Sequence, residues 1–107
     1  MPHAQLTYSE DIELNAVEIL KQIEAAILQH DGGAGDCKGR AVPVAQFHHT
    51  HLMADVSLLP KAHRDAEFLA ALRSDLFELL LRHVPRPCWL SLDLRFSTPN
   101  YQTEFLI

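Results

Sequence analysis

Three segments of the chain alternate apolar and polar residues with a period of two. From His3 to Tyr8, Ala4, Leu6 and Tyr8 share one face, and His3, Gln5 and Thr7 share the other. From Leu52 to Leu59, Leu52, Ala54, Val56 and Leu58 oppose Met53, Asp55, Ser57 and Leu59. From Trp89 to Phe96, Leu90, Leu92, Leu94 and Phe96 oppose Trp89, Ser91, Asp93 and Arg95. This is the pattern of half-buried strands. Between them lie two stretches with helical spacing: Leu14, Val17, Leu20, Ile23 and Ile27, then Phe68, Leu72, Leu76, Leu79 and Leu80. A chain with one apolar face per strand and one apolar stripe per helix folds in layers around a shared core.

Local signals set the boundaries. Ser9-Glu10-Asp11 supplies capping oxygens and negative charge where the first helix is predicted to start. Asp31-Gly32-Gly33 predicts its stop near His30. Ala34 to Gly39 reads as a loop. Arg40 to Phe47 reads as a further strand, with Pro43 marking it as an edge or irregular stretch. The second helix is predicted from Asp65 to Val84, because Pro85 and Pro87 forbid its continuation. The order is β-α-β-β-α-β, two βαβ units in one domain spanning residues 1–107. Helices on one side of such a sheet leave a polar face uncovered, and a symmetric oligomer is one way to cover it. A ferredoxin-like domain has the same element order, so pattern alone leaves both architectures open. The tail, residues 97–107, ends in Phe105-Leu106-Ile107 and is expected to pack on a neighbouring subunit.

Composition narrows the function. The net charge is −5 with nine Lys and Arg, which lacks the basic footprint of nucleic-acid binding. No apolar run approaches the ~20 residues of a membrane span. Met1-Pro2-His3-Ala4-Gln5 has neither the basic nor the apolar region of a secretory leader, so the cytoplasm is the expected location. Cys37 and Cys88 have no CxxC spacing and read as free thiols. Gly32-Gly33-Ala34-Gly35 follows a helix, so it is not a strand-borne phosphate loop. No GxSxG nucleophile motif occurs. His49 and His51 share a face on a strand and, with Asp55, are the one candidate start of a metal site. A polar hairpin tip is the plainer reading of His48-His49-Thr50-His51, and no metal is expected.

Several stretches, taken in order, resemble the 5-carboxymethyl-2-hydroxymuconate isomerase family of the tautomerase superfamily. Met1-Pro2-His3 and Ser9-Glu10-Asp11-Ile12 look like its start. Cys37-Lys38-Gly39-Arg40 sits where the family carries Arg-x-Arg. His63-Arg64-Asp65 sits where it has Gly-Arg-Ser. Leu76-Phe77-Glu78-Leu79-Leu80 is similar to its Leu-Phe-Glu-Leu-Ile, and Thr98-Pro99-Asn100-Tyr101 to its Thr-Leu-Asn-Phe. The chain departs from the family in a shorter stretch between Arg40 and Leu76, in Lys38 for the first arginine, and in His63 for glycine.

The resemblance implies a four-stranded mixed sheet with two helices on one face, assembled as a homotrimer. It implies an isomerase without cofactor that moves a proton in a carboxylated, unsaturated keto/enol compound. Pro2, freed by removal of Met1, would be the general base. Its secondary amine is more basic than an ordinary α-amino group of pKa ~7.7–8.0, so burial and nearby cations must lower it. Arg64 would grip the substrate carboxylate with paired hydrogen bonds. Arg40, or Lys38 on the same loop, would stabilise charge on the dienolate oxygen. Tyr101 would help shape the substrate pocket. Two alternatives stand beside this: a non-catalytic protein of the tautomerase fold, and a ferredoxin-like small-ligand-binding module.

Overall fold

The computed structural model describes all residues, Met1 to Ile107. Its elements are β1 (His3–Ser9), α1 (Ala16–His30), β2 (Lys38–Val44), β3 (His51–Leu58), α2 (Ala66–His83) and β4 (Trp89–Phe96). The sheet order is β2-β1-β3-β4. β1 runs parallel to β2 and β3 parallel to β4, while β1 and β3 pair antiparallel at the centre. The two strands of each βαβ unit are therefore immediate neighbours. A ferredoxin-like sheet splits each unit by inserting another strand, so the pairing excludes that architecture.

Period two decides what each face carries. Ala4, Leu6, Leu52, Ala54, Val56 and Leu58 are buried beneath the helices. They meet Ile19, Ile23 and Ile27 of α1 and Leu72, Leu76, Leu79 and Leu80 of α2 in one core. Each buried aliphatic side chain contributes about 1.5–3 kcal/mol. The opposite face is polar, and register lines Arg40, Gln5, Asp55 and Asp93 in one row across the four strands. Arg40 Nε donates to Gln5 Oε1 at 3.1 Å, and Arg95 bridges Asp55 at 3.0 Å and Asp93 at 2.8 Å.

The first helix differs from expectation at both ends. Ser9 does not cap it. The Ser9 hydroxyl accepts from His51 N–H at 2.9 Å and lies 3.2 Å from the His51 carbonyl, closing the β1–β3 ladder. Asn15 is the cap, its side-chain oxygen accepting from Glu18 N–H. This later start changes the helix phase. Ile19 joins the buried stripe, and Val17 is 64% exposed. The stop falls at His30 as expected, but Asp31 makes it in extended backbone, with its N–H on the Ile27 carbonyl. Neither Gly32 nor Gly33 adopts a positive φ; Gly35 does.

The second strand is displaced too, to Lys38–Val44 instead of Arg40–Phe47. Pairing with β1 defines it: Lys38 N–H donates to the Pro2 carbonyl at 3.0 Å, and Glu10 N–H to the Val44 carbonyl at 3.0 Å. Pro43 lies on this edge strand, where a missing N–H is tolerated. Gly39 sits under α1: a Cβ there would lie 2.9 Å from Leu20 Cδ2 and 3.2 Å from Leu20 Cβ. The second helix and the fourth strand match their predicted spans to within a residue, and Asp65 caps α2 by accepting from Phe68 N–H at 2.9 Å.

The α1 phase is testable by urea unfolding. Ile23→Ala is expected to cost about 2–5 kcal/mol, as a cavity-forming core truncation. Val17→Ala is expected to stay within about 0.5 kcal/mol. Equal losses would contradict the phase.

Candidate active site

The start of β1 gathers chemistry from four parts of the chain. Pro2 is fully buried, on the helix side of the sheet with Ala4 and Leu6. Its carbonyl is held by Lys38 N–H of β2. Tyr101, from the tail, places its hydroxyl 3.5 Å from the Met1 carbonyl oxygen and 2.8 Å from His3 Nε2. Lys61 and Arg64, from the turn before α2, are near enough to act on the chain's amino group. That amine is lowered from its ordinary value by burial first, then by Lys38, Lys61 and Arg64.

Arg64 is brought to this region but is not free in it. Its side chain is 2% exposed. Nε and Nη2 donate to Asp31 Oδ2 at 3.0 and 2.8 Å, and Nη1 donates to the Leu59 carbonyl at 2.7 Å. His63 Nε2 lies 2.8 Å from the same Asp31 oxygen. Gly33 N–H donates to Asp31 Oδ1 at 3.2 Å. Asp31 is thus the hub that joins the end of α1 to the start of α2. His63 and Arg64 hold its carboxyl well below the usual carboxylate range. Neither Asp65 nor Glu67 is the partner of Arg64, although both are nearer in sequence.

Arg40 and Lys38 point to the open sheet face, two residues apart on β2. Both act on His3, which burial lowers first, then Arg40 and Lys38. Arg40 borders a recess of about 150 Å³ with His3, Gln5, Asp55, Ser57 and Arg95. Lys38 Nζ reaches only the Asp36 carbonyl, at 3.3 Å. A larger recess, about 450 Å³, lies at the far end of the sheet, lined by His49, Thr50, Pro87, Cys88 and Trp89. It is remote from Pro2: His51, at that end of β3, pairs with Trp89, while Ser57 pairs with His3.

His49, His51 and Asp55 do not converge. His51 Nδ1 lies 2.7 Å from the His49 carbonyl, Asp55 Oδ1 accepts from Arg95, and no three His, Cys, Asp or Glu side chains are placed to hold a metal ion. Both cysteines are free. Burial, then Glu24, pushes the Cys37 thiol up to about 11, so it stays protonated and unreactive.

No protein-family model and no curated protein sequence matches the chain. Solved structures do match. A 5-carboxymethyl-2-hydroxymuconate delta-isomerase superposes with a TM-score of 0.71 at 17% identity, over 98% of this chain and 88% of that one. The chain has a tautomerase-like fold. A 5-carboxymethyl-2-hydroxymuconate isomerase from Deinococcus radiodurans R1 superposes with a TM-score of 0.64 at 18% identity, over 97% and 90%. A fused 4-OT wild-type symmetric trimer gives 0.61 at 12% identity, over 94% and 91%. At these identities the likeness shows the fold alone. No helix is long and apolar enough to cross a membrane.

His3, Asp31 and Lys61 are site neighbours that the sequence did not single out. Asp31 read as a helix stop, and nothing in sequence spacing marks a pairing with Arg64 across 33 residues.

The Asp31 hub has a pH signature. Its folded pKa is depressed below the unfolded value of 3.8. Its stabilisation is therefore fully present above that value and is lost as pH falls through the folded pKa. Asp31→Ala leaves Arg64 buried without its partner and is expected to cost about 3–5 kcal/mol at neutral pH. Unfolding midpoints measured between pH 7 and 2 are expected to fall less steeply in the acid range for the variant than for the wild type. Parallel curves would contradict the hub.

Proposed function

We propose that the protein is a cofactor-independent isomerase that moves a proton within a carboxylated, unsaturated keto/enol compound of the 5-carboxymethyl-2-hydroxymuconate kind. Pro2, after removal of Met1, is the base that takes the proton and the acid that returns it. One observation carries this reading: Pro2 is fully buried at the start of β1, and the amino group one residue before it is lowered by burial and then by Lys38, Lys61 and Arg64, with no carboxylate among the groups that act on it. Asp31 is turned to Arg64 and His63. An amine in such surroundings loses its proton more readily, because both burial and positive neighbours disfavour the ammonium form.

The other roles follow from exposure. Arg40 and Lys38, on β2, are cations with no carboxylate partner, and they meet the substrate anion. Arg64, pinned by Asp31, adds positive potential at Pro2 and has N–H groups left for a carboxylate that reaches it. Tyr101 borders the same space and contacts the substrate. The working form is a cytoplasmic homotrimer. The polar sheet face and the exposed Phe105, Leu106 and Ile107 are the surfaces it covers, with the 97–107 tail of one subunit on its neighbour. Two free thiols suit a reducing compartment. A second reading, a non-catalytic protein of this fold that binds a small acid, draws on the engagement of Arg64 by Asp31 and Leu59.

Intact mass and ketonisation of a simple 2-hydroxymuconate-type dienol separate the two. The wild type is expected to lack Met1 and to be active, and Pro2→Ala is expected to lower kcat/KM by roughly 10²–10⁴. Retained Met1, or activity indifferent to Pro2, would favour the binding protein.

A further inference from the structure

His3 and Tyr101 lie 98 residues apart and meet at the chain's start. His3 Nε2 is 2.8 Å from Tyr101 Oη, and the rings meet edge to face with centroids 5.6 Å apart. A short turn holds the tyrosine: Tyr101 N–H donates to the Thr98 carbonyl at 3.2 Å, and Asn100 N–H to Thr98 Oγ1 at 3.3 Å. Tyr101 Oη is also 3.5 Å from the Met1 carbonyl oxygen. That carbonyl is bonded to the Pro2 nitrogen. The phenol therefore stands beside the atom that removal of Met1 frees.

The direction of the hydrogen bonds can be argued. His3 Nδ1 is buried and has no partner. A neutral imidazole has one donor nitrogen and one acceptor nitrogen. Burial, then Arg40, Lys38 and the chain's amino group, hold the ring neutral, and a buried nitrogen without a partner is better tolerated as a bare acceptor than as an orphaned N–H donor, which makes Nδ1 the bare nitrogen. The proton then sits on Nε2 and is donated to Tyr101 Oη. The tyrosine keeps its own O–H for another acceptor: the Met1 carbonyl in the full chain, and a substrate oxygen in its place once Met1 is gone.

We infer that Tyr101 donates a hydrogen bond to the substrate oxygen on which negative charge gathers, and that His3 is the positioning residue that holds the phenol with its proton turned outward. This rests on the proline-base reading of the site. In the ketonisation step, the enol O–H bond of the substrate breaks as the N–H bond of Pro2 forms, and the electron pair is left on the oxygen that Tyr101 bonds. The Pro2 N–H then breaks and a C–H bond forms at the distant carbon. No proton is left on Tyr101 or His3, which stabilise the charge without being consumed.

The test compares His3→Leu, His3→Gln, Tyr101→Phe and the double variant His3→Leu/Tyr101→Phe in the ketonisation assay, beside Pro2→Ala. The glutamine amide nitrogen reaches the place of Nε2 and can donate as it does. Tyr101→Phe and His3→Leu are each expected to lower kcat by roughly 10²-fold with little change in KM. His3→Gln should recover most of the loss, and the double variant should be no worse than Tyr101→Phe alone. A ¹⁵N spectrum of the wild type should show His3 protonated at Nε2 and bare at Nδ1. Activity that needs Pro2 but is unchanged in His3→Leu, or a proton on Nδ1, overturns this inference alone. Activity unchanged in Pro2→Ala overturns the proline reading and this role with it.

Discussion

The amino-terminal strand is paired on both sides from its first residues, and that pairing governs the rest. β1 sits in the middle of the sheet, parallel to β2 and antiparallel to β3. A strand bonded on both sides cannot slip by one residue without turning Ala4 and Leu6 out of the core and His3 and Gln5 into it. Its register is therefore fixed by burial, and the position of Pro2 is fixed with it. Lys38 N–H on the Pro2 carbonyl carries the ladder to the end of the strand.

Charge at that point is arranged by competition for Arg64. A guanidinium buried without a partner is unstable, and Asp31 supplies the partner from the end of α1. No carboxylate is among the groups that act on the chain's amine. Lys38, Lys61 and the remaining field of Arg64 then act on the amine with burial, and all lower it. The ion pair thus serves the fold, by tying α1 to α2. Arg40, further along β2, stays on the open face, held only by Gln5.

What was legible in the sequence was periodic or local. The strands at Leu52 and Trp89 show themselves because each alternates over a full strand length between a core and an open face. Lys38 and Arg40 were legible as two basic residues on one loop, but their common face on β2 was not, because the strand read as starting at Arg40 and in fact starts at Lys38. The cap of α1 was not legible, because the Ser9 hydroxyl is taken by backbone 42 residues away, and the true cap, Asn15, fixes a phase that exposes Val17. Asp31 with Arg64, and His3 with Tyr101, are contacts between elements that only the packed sheet brings together. The identity of the fold was suggested by short motifs in order, and the parallel neighbours within each βαβ unit separate it from the ferredoxin-like arrangement.

The proposed role of Pro2 requires its nitrogen to be a neutral amine at neutral pH. A ¹⁵N titration of Pro2 in protein lacking Met1 measures this directly. The expected result is a pKa below the ordinary α-amino range of about 7.7–8.0, despite the higher intrinsic basicity of a secondary amine. A value at or above that range would contradict it, since the nitrogen would then be charged and unable to accept a proton.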